Sequence, residues 1–270
     1  MIKDAMYYDS YKEERDLILE YNQTSLADVN LVNIIGIGID NCTRQQAVVK
    51  VLRMIEDGGV HHVMALNPYK LHRLTTNNDL NLIASKADLK LAVGAGLPWA
   101  AKFLGRPLKE RIHFMSFLMD LIRIAEIKEL TIFMVGAKPE IIEQAYANIK
   151  KSFPKIRIVG RHGGYFNKER AASVIEAMRK SEAQIIFIGL GFPKEDKWIA
   201  EIKNQFKNTV FIGIGGSIDI ISGQKRKAPA YFMENGLDWF YRIITRPWRY
   251  TRLLRLLLFY VHVLWQRLRK

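Results

Sequence analysis

Short runs of aliphatic and β-branched residues recur along the chain, and nearly all end in glycine or a turn. They are LVNIIGIGI (31–39), HHVMAL (61–66), LKLAV (89–93), LTIFMVG (130–136), KIRIVG (155–160), AQIIFIGLG (183–191) and NTVFIGIGG (208–216). Between them lie segments with apolar residues at helical spacing, each opening near a capping residue or a proline: TRQQAVVKVLRMIEDG, KPEIIEQAYANIKKSF, NKERAASVIEAMRKS and KEDKWIAEIKNQF. Strands alternating with helices of that length predict crossover connections, hence an α/β protein with a Rossmann-like, mostly parallel sheet and helices on both faces. The unbroken hydrophobicity of IIFIGLG and VFIGIGG predicts strands covered on both sides. The run at 31–39 is expected to be the first strand of that sheet.

The pattern divides the chain into a helical N-terminal extension (1–30), an α/β domain (31–238) and a C-terminal basic amphipathic helical appendage (239–270). At 270 residues with 49% apolar content, the chain can bury a large core. The net charge of +14 is unevenly spread, because Arg242 to Lys270 holds eight basic residues and no acidic one. An anionic partner is implied, either a phosphate backbone or an anionic membrane surface. Basic residues concentrated beside an apolar run favour the membrane, and no nucleic acid is expected as partner. Arginines at 246, 249, 252 and 255 precede the ten-residue run LLLFYVHVLW, too short to span a bilayer but suited to its interface, with Trp248, Tyr260 and Trp265 at headgroup depth and Arg255 on anionic lipid. Packing on the core or on a second copy is the alternative use of that helix. A single cysteine, Cys42, leaves no internal disulfide, and the charged N-terminus lacks a signal-peptide core, so a cytoplasmic location is expected.

In an open parallel sheet ligands gather at the carboxyl ends of the strands, so the loops there are the candidate site. GLGFPKEDKW permits close backbone approach through two glycines; it reads as an anion or uridine cradle, or as a tight strand-to-helix connection. GRHGGYF carries Arg161, His162 and Tyr165, suited to phosphate and ring contacts or to a wide surface turn. In GGSIDIISGQKRKAP, Asp219 stands before Lys225, Arg226 and Lys227, as sugar hydroxyl recognition near a phosphate or as an ion pair. GIGID lacks the third glycine of a dinucleotide loop, position 41 being Asn. No Walker loop and no zinc-spaced Cys/His cluster occurs. His61 and His62 fall on a strand and are expected to pack rather than ligate.

Taken in order, LNP (66–68), ADLKLAVGAGLPWAAKFLG, VGRHGGYF, GLGFPKEDKWI, GGSIDIISGQKRKAP and GLDWFYRIITRPWRYTRL resemble the WecG/TagA/CpsF family of bacterial glycosyltransferases, glycosyltransferase family 26, over about Asn33 to Arg252. The resemblance implies a peripheral enzyme of the inner face of the cell membrane. It would transfer an N-acetylmannosamine-type or related sugar, with inversion, from a UDP-sugar donor to an undecaprenyl-diphosphate-linked acceptor, in cell-surface polysaccharide or teichoic acid synthesis. It implies Asn67, Arg111, Gly164, Tyr165, Glu195, Asp219, Lys227, Arg242, Arg249 and Arg252 as substrate-binding positions, the arginines holding the UDP diphosphate through charge-assisted bonds. No Asp-x-Asp pair is available for a divalent ion, so no metal or other cofactor is expected.

The chain departs from that family where chemistry is expected. Val93 stands where the usual Pro-Asp-Gly has its aspartate, the expected general base, and Ala65 stands two before Asn67 where threonine is usual. Glu195-Asp196 replaces Gln-Glu, Lys227 replaces an arginine, and Phe114-Met115-Ser116 replaces a Gly-x-Asp. General base assistance is typically worth about 10²- to 10⁴-fold, so turnover survives its loss if positioning remains. Asp40, after the first strand, is the one candidate substitute, with helix capping as its other reading; Asp88 precedes its strand and falls at the opposite sheet edge. The alternative function is a degenerate relative that binds nucleotide or lipid and partners or regulates an active transferase.

Overall fold

The computed structural model describes residues 17–225, 229, 231–232, 241, 244–245 and 250–269, without the side chains at 168 and 250–253. The expected domain boundary near residue 238 lies outside them, as do Lys227, Arg242, Trp248 and Arg249. Arg252 is described only as backbone.

The first apolar run is not a strand of the parallel sheet, which corrects the expectation for 31–39. β1 (Asn30–Ile34) and β2 (Ile37–Asn41) pair antiparallel as a hairpin. Its turn residues, Ile35 and Gly36, both have positive φ, 45° and 85°, as a turn matched to strand twist requires. Asn33 Oδ1 accepts from Gly36 N at 3.0 Å. GIGID is therefore a hairpin turn and second strand, with no phosphate loop in it.

The other six runs form one sheet. β3 (Val60–Leu66), β4 (Leu89–Ala92), β5 (Thr131–Gly136), β6 (Arg157–His162), β7 (Ile185–Gly189) and β8 (Thr209–Gly213) lie in the order β4-β3-β8-β7-β5-β6, all neighbours parallel. Strand periodicity splits their side chains between two layers. Ile132 and Met134 of β5, with Ile185 and Phe187 of β7, face helices Arg44–Asp57, Phe114–Ile127 and Pro139–Ser152. Phe133, Val135, Ile186 and Ile188 face helices Lys168–Lys180 and Lys194–Ile202. A third cluster joins the hairpin to helices Pro68–Thr75, Asn78–Ser85, Gly96–Phe103 and the terminal helix Tyr250–Leu268. Ahead of the hairpin, Tyr21 is buried in the first cluster.

The terminal helix has two apolar faces. Phe259 and Val263 are fully buried, each worth about 1.5–3 kcal/mol of burial. Gln266 on the same side accepts from Ile35 N at 2.7 Å, so the helix holds the hairpin turn. The His72 and His262 rings stack at 5.2 Å where this helix crosses Pro68–Thr75. Tyr260 also faces inward, its ring 4.9 Å from Trp99, and burial raises its pKa. That corrects its expected place at lipid headgroup depth: residue 260 lies on the packed side of the helix. On the opposite side Leu254, Leu257, Leu258, Val261, Leu264, Trp265 and Leu268 are all exposed.

Burial, with His262, Arg255 and Arg73 nearby, lowers the His72 pKa from its usual 6.5. The folded state resists protonating this ring, so its contribution to stability is full above about pH 6.5 and is lost as pH falls toward the lowered folded value. Denaturant melts from pH 7 to 5 should show stability falling with acidity, and His72→Phe should flatten that slope.

Candidate active site at the carboxyl edge of the sheet

Every helix or loop that leaves a carboxyl end of the sheet is tied to a neighbouring one. After β3, Asn67 caps helix Pro68–Thr75, its Oδ1 accepting from Lys70 N at 2.9 Å. After β4, Val93 N donates to Leu66 O at 2.8 Å, and Val93 bridges Ile112, which carries Arg111 alongside it. The family's base position and the arginine expected to bind diphosphate are thus neighbours. Gly94, with φ 81°, makes the turn. Gly96 must be glycine for a different reason: a Cβ there would overlap Pro68 Cγ and lie 3.2 Å from Tyr260 Oη. Of the two glycines of AVGAGLP, Gly94 thus serves the turn itself and Gly96 its fit against LNP and the terminal helix.

Crowding is as tight in the middle of the edge. A Cβ on Gly136 would fall 2.6 Å from Gly189 O, one on Gly189 3.0 Å from Gly215 O, and one on Gly164 2.9 Å from Gly136 Cα. Gly164 N also donates to Ala137 O at 2.7 Å. The loops after β5, β6, β7 and β8 therefore meet through bare backbone, the arrangement that lets main-chain N–H groups approach a ligand. Tyr165, beside them, is 77% exposed. Asp219 sits in the short helix Ser217–Ile221 and pairs with Lys225. Arg161 is held by Glu143 through two nitrogens, 2.8 and 2.6 Å, and lies 3.8 Å over the Tyr146 ring. Its charge is engaged away from the loops.

Glu195 is not a surface contact, which corrects its expected role in substrate binding. It is 0% exposed. Its Oε2 accepts from Gly191 N at 3.0 Å and Gly215 N at 2.9 Å, and Lys70 Nζ lies 3.3 Å from Oε1. Burial pushes its carboxyl above the usual carboxylate range, against the pull of Lys70. Asp196, also buried, has Oδ1 3.4 Å from His62 Nε2, so His62 packs in the core as expected. The sequence reading missed Lys70. The signal was its place three residues after Asn67, in the first turn of the helix the LNP segment starts.

Asp40 is likewise corrected. It is buried in β2, paired with Lys50, and its other oxygen accepts from Lys90 N at 2.8 Å. Both oxygens are thus committed, one tying the hairpin to the free edge of β4 and the other to helix Arg44–Asp57. Nor does it cap the following helix: Thr43 does, in a capping box with Gln46. Asp88, as expected, binds at the opposite edge, accepting from His62 N at 2.8 Å.

With this geometry in view, the sequence profile of the Glycosyl transferase WecG/TagA/CpsF family matches residues 32–270. The chain belongs to that family. It is also similar to proteins from Staphylococcus aureus strains NCTC 8325 / PS 47 and COL, both named N-acetylglucosaminyldiphosphoundecaprenol N-acetyl-beta-D-mannosaminyltransferase. Each is 29% identical over 215 residues, which is 79% of this chain and 84% of the relative. The family is one of glycosyltransferases, and the chain is read as an enzyme of that class. Among the described residues no helix is long and apolar enough to cross a membrane.

One prediction concerns the fit of the β4 turn. Gly96→Ala should cost about 1–3 kcal/mol by overpacking against Pro68, read as a lower denaturation midpoint, whereas alanine at the more open Gly38, where the nearest atom is 3.5 Å away, should cost less.

Proposed function

We propose that the protein transfers an N-acetylmannosamine-type sugar from a UDP donor to an N-acetylglucosamine carried on undecaprenyl diphosphate. The observation that carries this reading is the family match across residues 32–270, joined to relatives whose names state that donor sugar and acceptor. The site chemistry supports it. The glycine-bounded edge lets main chain come close to a diphosphate, Tyr165 offers an exposed ring beside it, and Arg111 adjoins the β4 turn. The tail arginines Arg242, Arg249 and Arg252 supply the remaining positive charge, in place of a metal ion. In the reaction the acceptor hydroxyl oxygen bonds to the sugar anomeric carbon from the face opposite UDP. The bond from that carbon to the β-phosphate oxygen breaks, UDP departs with the electron pair, and the hydroxyl proton passes to solvent.

Val93 takes no proton, so stabilisation of the leaving diphosphate carries the rate in this chain. Radiolabelled transfer assays on lipid-linked acceptor should show slow turnover that persists in EDTA. Val93→Asp should raise kcat by about 10²-fold or more, the scale of general base assistance, with UDP affinity little changed. UDP binding without transfer, across donors, in both proteins would favour the binding-only alternative.

The second apolar face of the terminal helix gives the lipid-linked acceptor a meeting place. A helix apolar on both sides has something covering each of them, and the basic, acid-free tail suits an anionic lipid surface. Trp99 and Phe103, stacked at 5.3 Å and exposed, add apolar surface near the β4 turn, where Trp99 meets Tyr260. In flotation assays the protein should rise with anionic vesicles and stay down with zwitterionic ones. Leu257→Ser/Val261→Ser/Leu264→Ser should abolish flotation while leaving UDP binding intact; vesicle binding unchanged in this variant would refute the assignment.

A further inference from the structure

Glu195 and Lys70 do more than neutralise each other in the interior. Glu195 lies in the first turn of helix Lys194–Ile202 and takes the N–H of Gly191 from its own loop and of Gly215 from the loop after β8. Its other oxygen faces Lys70, from the helix after β3. Lys70 is itself located twice more: its backbone N–H is held by Asn67 Oδ1, and its ammonium lies 5.3 Å above the Phe192 ring. One fully buried carboxylate therefore spans three separate loops, each leaving the carboxyl edge of the sheet, and the strands beneath them, β3, β8 and β7, are consecutive neighbours.

We propose that Glu195, set in place by Lys70, is a positioning residue that fixes the spacing of the loops after β3, β7 and β8, and with it the width of the donor crevice. The pair acts as a unit. A buried carboxylate left without its cation is costly, whereas replacing both charges by neutral groups of similar shape is tolerated. A glutamine at 195 keeps one oxygen for the two glycine N–H groups but turns an amide N–H₂ toward the Lys70 ammonium, donor against donor. Removing the lysine charge at the same time relieves that conflict. The inference rests on the UDP-sugar reading for the ligand, but the spacing of the loops is measurable without any ligand.

The test compares wild type with Glu195→Ala, Glu195→Gln and Lys70→Met/Glu195→Gln, at a temperature where circular dichroism shows each folded. Two readouts are taken: amide hydrogen exchange, and UDP affinity by calorimetry with kcat from the transfer assay. Glu195→Ala should speed exchange at Gly191 and Gly215 at least tenfold while Phe187 and Ile212 in the strands stay protected. It should also lower kcat by about 10²-fold, the scale of a small misplacement of reacting groups. Glu195→Gln should keep those amides protected but weaken UDP binding, and the double variant should restore it to within about threefold of wild type. Wild-type exchange and wild-type UDP affinity in folded Glu195→Ala would overturn the proposal. So would a double variant no better than Glu195→Gln. Should Glu195→Ala fail to fold, the comparison of Glu195→Gln with the double variant decides alone. Absence of UDP binding by wild type would sink the substrate reading, and the exchange results would still decide the loop claim.

Discussion

The carboxyl edge of this sheet is built so that backbone meets backbone, and the rest of the molecule is arranged around that contact. Gly136, Gly189 and Gly164 sit where any side chain would strike a neighbouring main chain. Loops brought so close need a partner for the N–H groups turned toward the interior, and the Glu195 carboxylate supplies it for two of them. Close approach and internal satisfaction are two halves of one constraint: a buried donor without an acceptor would cost about 1–3 kcal/mol. The result is an edge held at a fixed spacing before any ligand arrives, which is what electrostatic stabilisation of a leaving diphosphate requires.

The terminal helix links that edge to the surface. One side carries Phe259 and Val263 into the core and Gln266 to the hairpin turn; Tyr260 reaches Gly96 and Trp99 beside the β4 turn. The opposite side is apolar and exposed. The terminal helix thus touches the β4 turn on one side and presents its exposed apolar face on the other.

Much of this was legible in the amino-acid pattern, because strand and helix periods are local properties. Six of the seven apolar runs are strands of the parallel sheet, and all four quoted helical segments fold as helices. The run at 31–39 misled because composition does not report a left-handed pair at Ile35 and Gly36; a non-glycine residue at φ 45° is invisible to hydrophobic pattern. Asp40 misled for the same reason, since its position past a supposed parallel strand depended on that strand. Glu195 was recognised as important through its motif, yet its burial follows from Lys70, 125 residues earlier in the chain, a pairing no local spacing encodes. Tyr260 and Trp265 look alike in a basic, apolar helix, and only the packing partners Trp99 and Gly96 separate the inward ring from the outward one.

The central claim is that a UDP diphosphate sits against the loops after β5, β7 and β8. A crystal structure of the protein with UDP measures this most directly. The account predicts diphosphate oxygens within hydrogen-bond reach of main-chain nitrogens in the loops that begin at Ala137, Leu190 and Ile214. Nucleotide bound at the amino edge of the sheet, near Asp88 and His61, would contradict it.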